Sequence, residues 1–180
     1  MVNKAIKFTY LLFTVGILTT SFFLLSFLDK ELKPGLEDVG LNPKSPACLQ
    51  MYSAIEKYSK KYNVPKYVAY NVAFMESRYQ GPFHWNYQPV HISSAGAVGP
   101  MQIITKYSYK FAGRIVTQKE LMTNIDLNVM VSMKMLRYRF NLTQNWGLAC
   151  GGYNTGQPIM NSYAYYCSTN RDYKKNWISY

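Results

Sequence analysis

The sequence predicts a mainly α-helical domain that follows one N-terminal membrane-spanning helix. Three observations support this fold class: apolar residues recur at helical spacing along most of the chain, strand-type alternation is nearly absent, and one uncharged apolar stretch stands near the N-terminus. The chain has 180 residues, of which 48% are hydrophobic and 16% aromatic. This composition fits one folded domain and excludes a disordered tail, and only three cysteines exclude a small disulfide-stapled fold.

The N-terminal 28 residues predict a cytoplasmic N-terminus and a membrane anchor. Residues 8–28 carry no charge, and a helix needs about 20 apolar residues to span a bilayer. Lys4 and Lys7 precede the stretch, so the positive-inside rule places the rest of the chain outside the cytoplasm. The alternative is a cleaved signal peptide, although residues 22–28 are apolar again and no Ala-x-Ala site is present. We expect an inner-membrane anchor with a periplasmic domain, or a secreted protein under the alternative.

A tether is predicted between the anchor and the domain. Residues 29–47 are charged and contain three prolines and two glycines without a sustained period, which is typical of a linker. The folded domain is predicted for residues 48–180.

Helices are predicted in order along this domain. An apolar stripe opens it, formed by Leu49, Tyr52, Ile55 and Tyr58. Pro65 suits the first turn of a second helix that continues to about residue 77. A loop rich in Gly, Ser and Pro is predicted over 81–100, and the remaining predicted helices cover 101–111, 124–140, 146–154 and 158–166.

Carboxylates are scarce in the predicted domain, which narrows any acid–base mechanism. Only five are present: Glu56, Glu76, Glu120, Asp126 and Asp172. Apolar residues precede Glu76 by three, four and seven positions, so on a helix its carboxyl emerges from the apolar face. Such surroundings raise the pKa of a carboxyl and suit a general acid. The alternative interpretation is a helix-end glutamate that is solvated or paired with Arg78.

Three short motifs follow one another in the chain. Residues 76–79 read ESRY, residues 93–103 read SSAGAVGPMQI, and residues 152–156 read GYNTG. In this order they resemble the signatures of the soluble lytic transglycosylase family. The resemblance implies a lysozyme-like fold for residues 48–180. It also implies a carbon–oxygen lyase, needing no cofactor, that cleaves peptidoglycan between N-acetylmuramic acid and N-acetylglucosamine and leaves a 1,6-anhydro end.

The resemblance assigns roles residue by residue. Glu76 matches the family's single catalytic acid and base. Ser93 matches a serine that assists at the cleavage subsite, and Gln102 a glutamine that lines the groove. Tyr153 and Asn154 match a pair beside the catalytic glutamate. Gly96 and Gly99 are expected to permit a tight turn and a close approach of the sugar.

The sequence departs from the family pattern at four places. Pro100 stands where Leu is usual, Gly152 where Ala is usual, and Ile104 where some members have Met. Residues 79–92 form a longer, aromatic-rich stretch, which either extends a platform for sugars or packs as a surface loop. These departures affect the subsites and leave the reaction class as it stands.

Two other functions, hydrolysis of the same bond and binding of glycan without cleavage, are alternatives for this domain. A muramidase would hydrolyse the same bond and would need a second carboxylate, for which Asp126 is the candidate. A non-catalytic glycan-binding module of an envelope assembly would not need an acid on an apolar face. A metal site is not expected, since His84 and His91 have no partner at ligand spacing.

The net charge of the chain predicts an anionic partner. The formal charge of +11 favours an anionic partner. Peptidoglycan carboxylates and anionic lipid fit the motifs and the anchor, whereas nucleic acid does not.

The three cysteines, Cys48, Cys150 and Cys167, permit one disulfide outside the cytoplasm. The preferred pair is Cys48–Cys167, with Cys150 as a buried thiol.

Overall fold

The computed structural model describes residues 45–177, and within them the predicted mainly α fold is confirmed. The elements are α1 (Ala47–Lys61), α2 (Lys66–Ser77), β1 (Ala97–Val98), β2 (Ile103–Ile104), α3 (Thr105–Ala112), α4 (Gln118–Thr123), α5 (Ile125–Thr143), α6 (Trp146–Thr155), α7 (Ser162–Thr169) and a 3₁₀ helix (Tyr173–Asn176). No helix in this described part is both long and apolar enough to cross a bilayer. The predicted anchor over 8–28 and most of the tether lie outside it.

Helix α5 is the centre of the domain. It packs against α1, α3, α4 and α6, and α6 in turn packs against α7. Its core side chains are fully buried: Val129, Val131, Met133 and Leu136. A helix that is apolar on most of its circumference is stable only when neighbours cover it, so the other helices assemble around α5. The side chain of Asn124 starts the helix by accepting the Leu127 N–H at 2.9 Å.

Helix α2 ends where the predicted acid lies. Pro65, predicted in its first turn, is instead the N-cap one residue before it, and Arg78 closes the helix in the left-handed conformation with φ 57°. Glu76 therefore occupies the last turn of α2. Helix α2 packs against α1 and α7, and these contacts fix the position of its final turn.

The predicted helix over 101–111 is wrong at its start, because a hairpin occupies its first residues. Strands β1 and β2 pair antiparallel, with Ala97 opposite Ile104 and Val98 opposite Ile103. Gln102 between them has φ 50°, which ends any helical run at that residue. Helix α3 therefore begins only at Thr105.

Two further boundaries differ from the sequence predictions. The last predicted helix, over 158–166, instead spans Ser162–Thr169, because the Asn161 side chain accepts the Ala164 N–H and caps it there. Helix α4 was not predicted. It is six residues long and depends on a capping box in which Thr117 and Glu120 bond each other's backbone N–H groups.

The aromatic-rich stretch over 79–92 is a surface loop that two of its aromatic rings hold in place. Trp85 is buried, donates its indole N–H to the Ser77 carbonyl at 3.0 Å and stacks on Tyr87 with ring centroids 4.8 Å apart. Tyr87 in turn donates to the Met122 carbonyl at 2.6 Å. Trp85 and Tyr87 therefore hold this loop against α2 and α4, whereas Phe83 is 58% exposed.

The predicted Cys48–Cys167 disulfide is wrong, since all three cysteines are free. Helices α6 and α7 pack together and bring the buried Cys167 thiol into hydrogen-bond contact with the buried Cys150. Cys48 is only partly buried in the first turn of α1, where its carbonyl accepts the Tyr79 hydroxyl. The hydrogen bond with Cys150, together with burial, raises the pKa of Cys167, so this thiol stays protonated.

Candidate active site

A cleft of about 870 Å³ opens where the end of α2, the hairpin, α3, the second half of α5 and the end of α6 meet. All five residues that the sequence analysis singled out line it: Glu76, Ser93, Gln102, Tyr153 and Asn154. They come from four separate segments of the chain, and the fold brings them to one surface. Ile104, one of the departures from the family pattern, lines the same cleft.

Glu76 lies in the cleft with one close polar partner. The Tyr163 hydroxyl, from α7, donates to Glu76 Oε1 at 2.5 Å. Burial raises the pKa of Glu76 to about 7, and this hydrogen bond acts in the opposite direction. The rise agrees with the apolar spacing that precedes Glu76 in the sequence. A carboxyl with such a pKa holds a proton near neutral pH and releases it readily.

Tyr163 was missed by the sequence analysis. It is 7% exposed, and burial raises the pKa of its phenol well above the ordinary value, so the hydroxyl remains a donor. Residues 163 and 76 are 87 positions apart. No local pattern could link them, because the contact arises only from the packing of α7 on α2.

Ser93 shapes the entrance to the hairpin. Its Oγ accepts the Ala97 N–H at 2.9 Å, and its own N–H donates to the Ala97 carbonyl at 3.0 Å. The oxygen of Ser93 is thus fixed by the backbone, while its hydroxyl hydrogen is directed by neither of these bonds. Ser93 can therefore donate a hydrogen bond towards a group in the cleft.

Gln102 is held in a sparsely populated backbone conformation. With φ 50° it is one of four non-glycine residues with positive φ in the described chain, and such a conformation costs on the order of 1–3 kcal/mol. Its Nε2 donates to the Gly99 carbonyl at 3.0 Å, which fixes the amide and leaves Oε1 as an acceptor. Strain of this kind is common at functional sites.

Asn128, which the sequence analysis also missed, holds this turn in place. It is fully buried in α5; its Oδ1 accepts the Met101 N–H at 2.9 Å, and its Nδ2 donates to the carbonyls of Val98 and Leu121. The signal in the sequence was a polar residue on the apolar face of the clearest predicted helix. At Gly99, where a close approach of the sugar was expected, the structure places this amide instead, since a Cβ there would lie 2.2 Å from Asn128 Nδ2.

Tyr153 and Asn154 differ in what they offer the cleft. The Tyr153 hydroxyl points inward, donating to the Met101 carbonyl at 2.6 Å and lying 3.0 Å from Ser132 Oγ. Its ring lines the cleft and its hydroxyl ties α6 to the hairpin turn. Asn154 is exposed, and its Oδ1 accepts from Asn161 Nδ2 at 3.3 Å.

The second carboxylate considered for hydrolysis lies elsewhere. Asp126 is at the start of α5, where it accepts the Tyr58 hydroxyl at 2.7 Å and lies 3.8 Å from Lys57 Nζ. It is not among the residues that line the cleft. Among the described lining residues Glu76 is the only carboxylate. Within residues 45–177 no group of three or more His, Cys, Asp and Glu side chains could hold a metal ion.

The part of the cleft lining that α3 and α5 contribute is aromatic and cationic, which the sequence did not predict. Helix α3 contributes Tyr107, Tyr109 and Lys110, and α5 contributes Tyr138 and Arg139. Lys110 Nζ lies 4.0 Å from the centroid of the Tyr138 ring. Tyrosine faces suit stacking on sugars, and the two cations suit anionic groups.

Comparison with known proteins agrees with this geometry. The family model described as the transglycosylase SLT domain matches residues 53–176, which is well over half of the chain. The matched range contains all five predicted site residues as well as Asn128 and Tyr163. The comparison with individual curated proteins finds no match.

Proposed function

This chain belongs to the transglycosylase SLT domain family, and we propose that Glu76 is its single catalytic acid and base. Membership of the family makes the chain an enzyme of the lytic transglycosylase type that acts on peptidoglycan. The observation that carries the proposal is the position of Glu76: it is the only carboxylate among the described lining residues, and its pKa is raised to about 7 by burial. One carboxyl with this pKa suits both halves of an acid–base cycle.

In the proposed reaction, protonated Glu76 first gives its proton to the oxygen of the bond between N-acetylmuramic acid and N-acetylglucosamine. Tyr163 donates to Oε1, which leaves Oε2 to carry the transferred proton. The glycosidic C–O bond breaks with its electron pair going to the leaving oxygen, and positive charge develops at C1 of the muramic acid.

The carboxylate of Glu76 then takes the proton from the 6-hydroxyl of the same muramic acid. The freed oxygen attacks C1 and forms a 1,6-anhydro ring, so the acid regains its proton and no water is consumed. An internal hydroxyl held near C1 has a large effective concentration relative to water. Ser93 and Gln102 are proposed to orient the sugar, through the Ser93 hydroxyl hydrogen and Gln102 Oε1.

The alternative is a muramidase that hydrolyses the same bond. It requires a second group to activate water, and in glycosidases this is normally a second carboxylate. Asp126, the candidate, is engaged by Tyr58 and Lys57 at the start of α5. Transglycosylation is therefore the better supported of the two reactions.

Digestion of purified sacculi in ¹⁸O-labelled water tests the proposal. We expect muropeptides that end in 1,6-anhydro-N-acetylmuramic acid, lighter by one water than hydrolytic products and free of label. Predominantly reducing ends that carry ¹⁸O would show a hydrolase instead.

The same digest assigns the acid. Glu76→Gln is expected to lower the cleavage rate by about 10²–10⁴-fold, because the amide has no proton to transfer. Asp172→Asn is the matched control, since Asp172 is exposed and outside the cleft, and it is expected to leave the rate unchanged. Full activity in a folded Glu76→Gln variant would refute the assignment.

A further inference from the structure

The described lining of the cleft has more positive than negative charge, and its two cations form no ion pair within residues 45–177. Lys110 and Arg139 line it together with the single carboxylate of Glu76. The ion pairs formed within residues 45–177 join Lys57 to Asp126, Lys66 to Glu56 and Arg114 to Glu120. Neither Lys110 nor Arg139 pairs with a carboxylate in this described part of the chain.

Both cations are held in position by neighbouring groups. Lys110 Nζ lies 4.0 Å from the Tyr138 ring centroid and 5.8 Å from that of Phe111, so two aromatic faces stabilise its location. Arg139 Nη1 donates to the Gly156 carbonyl at 2.9 Å, and the rest of the guanidinium keeps further N–H donors. Tyr138, which contacts Lys110, is the neighbour of Arg139 in the sequence of α5.

Gly152 makes room for Arg139. A Cβ at this position would lie 3.1 Å from Arg139 Cδ, which is tighter than ordinary van der Waals contact. Gly152 is also the position at which this sequence departs from the alanine usual in the motif. The glycine thus lets the arginine stem lie against α6 while its head group remains at the cleft.

We propose that Lys110 and Arg139 bind carboxylates of the peptide stems, so that this cleft favours glycan strands whose stems carry free carboxylates. This inference rests on the proposed function, which supplies peptidoglycan as the substrate. In a peptide-bearing strand the lactyl carboxyl of muramic acid is bound in the amide bond to its stem, so the free carboxylates are those of the stem residues. A fixed guanidinium and a fixed ammonium make charge-assisted hydrogen bonds to such groups.

The test compares two substrates prepared from the same sacculi: untreated strands, and strands whose stem carboxylates have been converted to uncharged amides with a carbodiimide and ammonia. The wild-type chain is expected to cleave the untreated strands with a kcat/KM about tenfold higher, because only these strands offer charge-assisted hydrogen bonds. Lys110→Gln keeps most of the side chain but removes the charge, and is expected to abolish most of this preference by slowing cleavage of the untreated strands. Lys110→Arg is expected to restore the preference.

Lys106→Gln is the matched control, because Lys106 is exposed on the same helix and does not line the cleft. It is expected to keep the wild-type preference. Equal cleavage of both substrates by the wild type, or an equal slowing of both by Lys110→Gln, would overturn the proposal. Mass analysis of the ends in the same digests tests the proposed function separately, since hydrolytic ends would refute that function whatever the preference between substrates.

Discussion

The acid–base behaviour of Glu76 is set by two opposing influences at the scale of single residues. Burial disfavours the carboxylate and raises the pKa, while the Tyr163 hydroxyl stabilises the carboxylate and lowers it. The balance leaves the pKa at about 7. A buried carboxyl without this donor would hold its proton more tightly and would be a weaker acid towards the glycosidic oxygen.

Tyr163→Phe should therefore shift the pH dependence of the reaction. The substitution keeps the ring and removes the hydrogen bond that lowers the pKa of Glu76, so this pKa rises. Because the first step needs protonated Glu76, activity is lost as pH increases through this pKa. The alkaline limb of the kcat/KM profile is thus expected to move to higher pH in the variant, with a lower maximal rate.

Tyr165→Phe is the control for this measurement, since Tyr165 lies on the same helix and is 65% exposed. Its profile should match that of the wild type. An alkaline limb that stays in place in Tyr163→Phe would mean that Glu76 does not govern it.

At the scale of elements, the hairpin turn depends on a contact between two distant parts of the chain. Asn128 in α5 satisfies the Met101 N–H and the Val98 carbonyl, and so fixes the segment that carries Gln102. Gly99 in this turn and Gly96 in the turn that precedes β1 both have positive φ, at 78° and 76°. Only Gly99 lies against another group, whereas nothing lies within 4 Å of a Cβ at Gly96.

These two glycines provide a matched pair of substitutions. Gly96→Ala should lower the free energy of unfolding by about 1–2 kcal/mol, the cost of a side chain in the left-handed conformation. Gly99→Ala should cost about 1–3 kcal/mol more, because its Cβ would clash with Asn128 Nδ2 and the Leu121 carbonyl. Chemical denaturation measures both values, and equal losses would contradict the role given to Asn128.

The elements also show which features could be predicted from the sequence. Helices α1, α2 and α5 follow apolar periodicity, which is local information, and their predicted positions agree with the structure. The start of α3 could not be predicted in the same way, because the turn that carries the strained Gln102 is held by Asn128, which is 27 residues from Met101 in the sequence. The five candidate site residues were predicted from motifs, while Tyr163, Asn128 and Lys110 became apparent only from packing.

At the scale of the whole molecule, the excess of positive charge and the N-terminal apolar stretch concern where the enzyme works. The formal charge of +11 favours anionic surroundings such as the cell wall and the outer face of a membrane. Lys4 and Lys7 before the uncharged residues 8–28 favour an anchor with the domain outside the cytoplasm. We therefore propose that the chain is anchored in the membrane with its domain outside the cytoplasm.

Protease added to spheroplasts should digest the domain and leave a membrane-retained N-terminal fragment, while a cytoplasmic marker stays intact. The uncharged stretch is long enough to remain protected in the bilayer. A freely soluble mature protein that begins within or after Ser21 would contradict the anchor and support a cleaved signal peptide.

The bond between Tyr163 and Glu76 also has a consequence for how the enzyme comes into being. A ribosome releases α2 long before α7, since 87 residues separate the two partners. Until α7 has been made and has docked, Glu76 lacks both the phenol and the cover of that helix. A nascent chain thus carries an ordinary exposed glutamate at this position, and completion of the fold is the event that gives it the surroundings of the proposed catalytic acid.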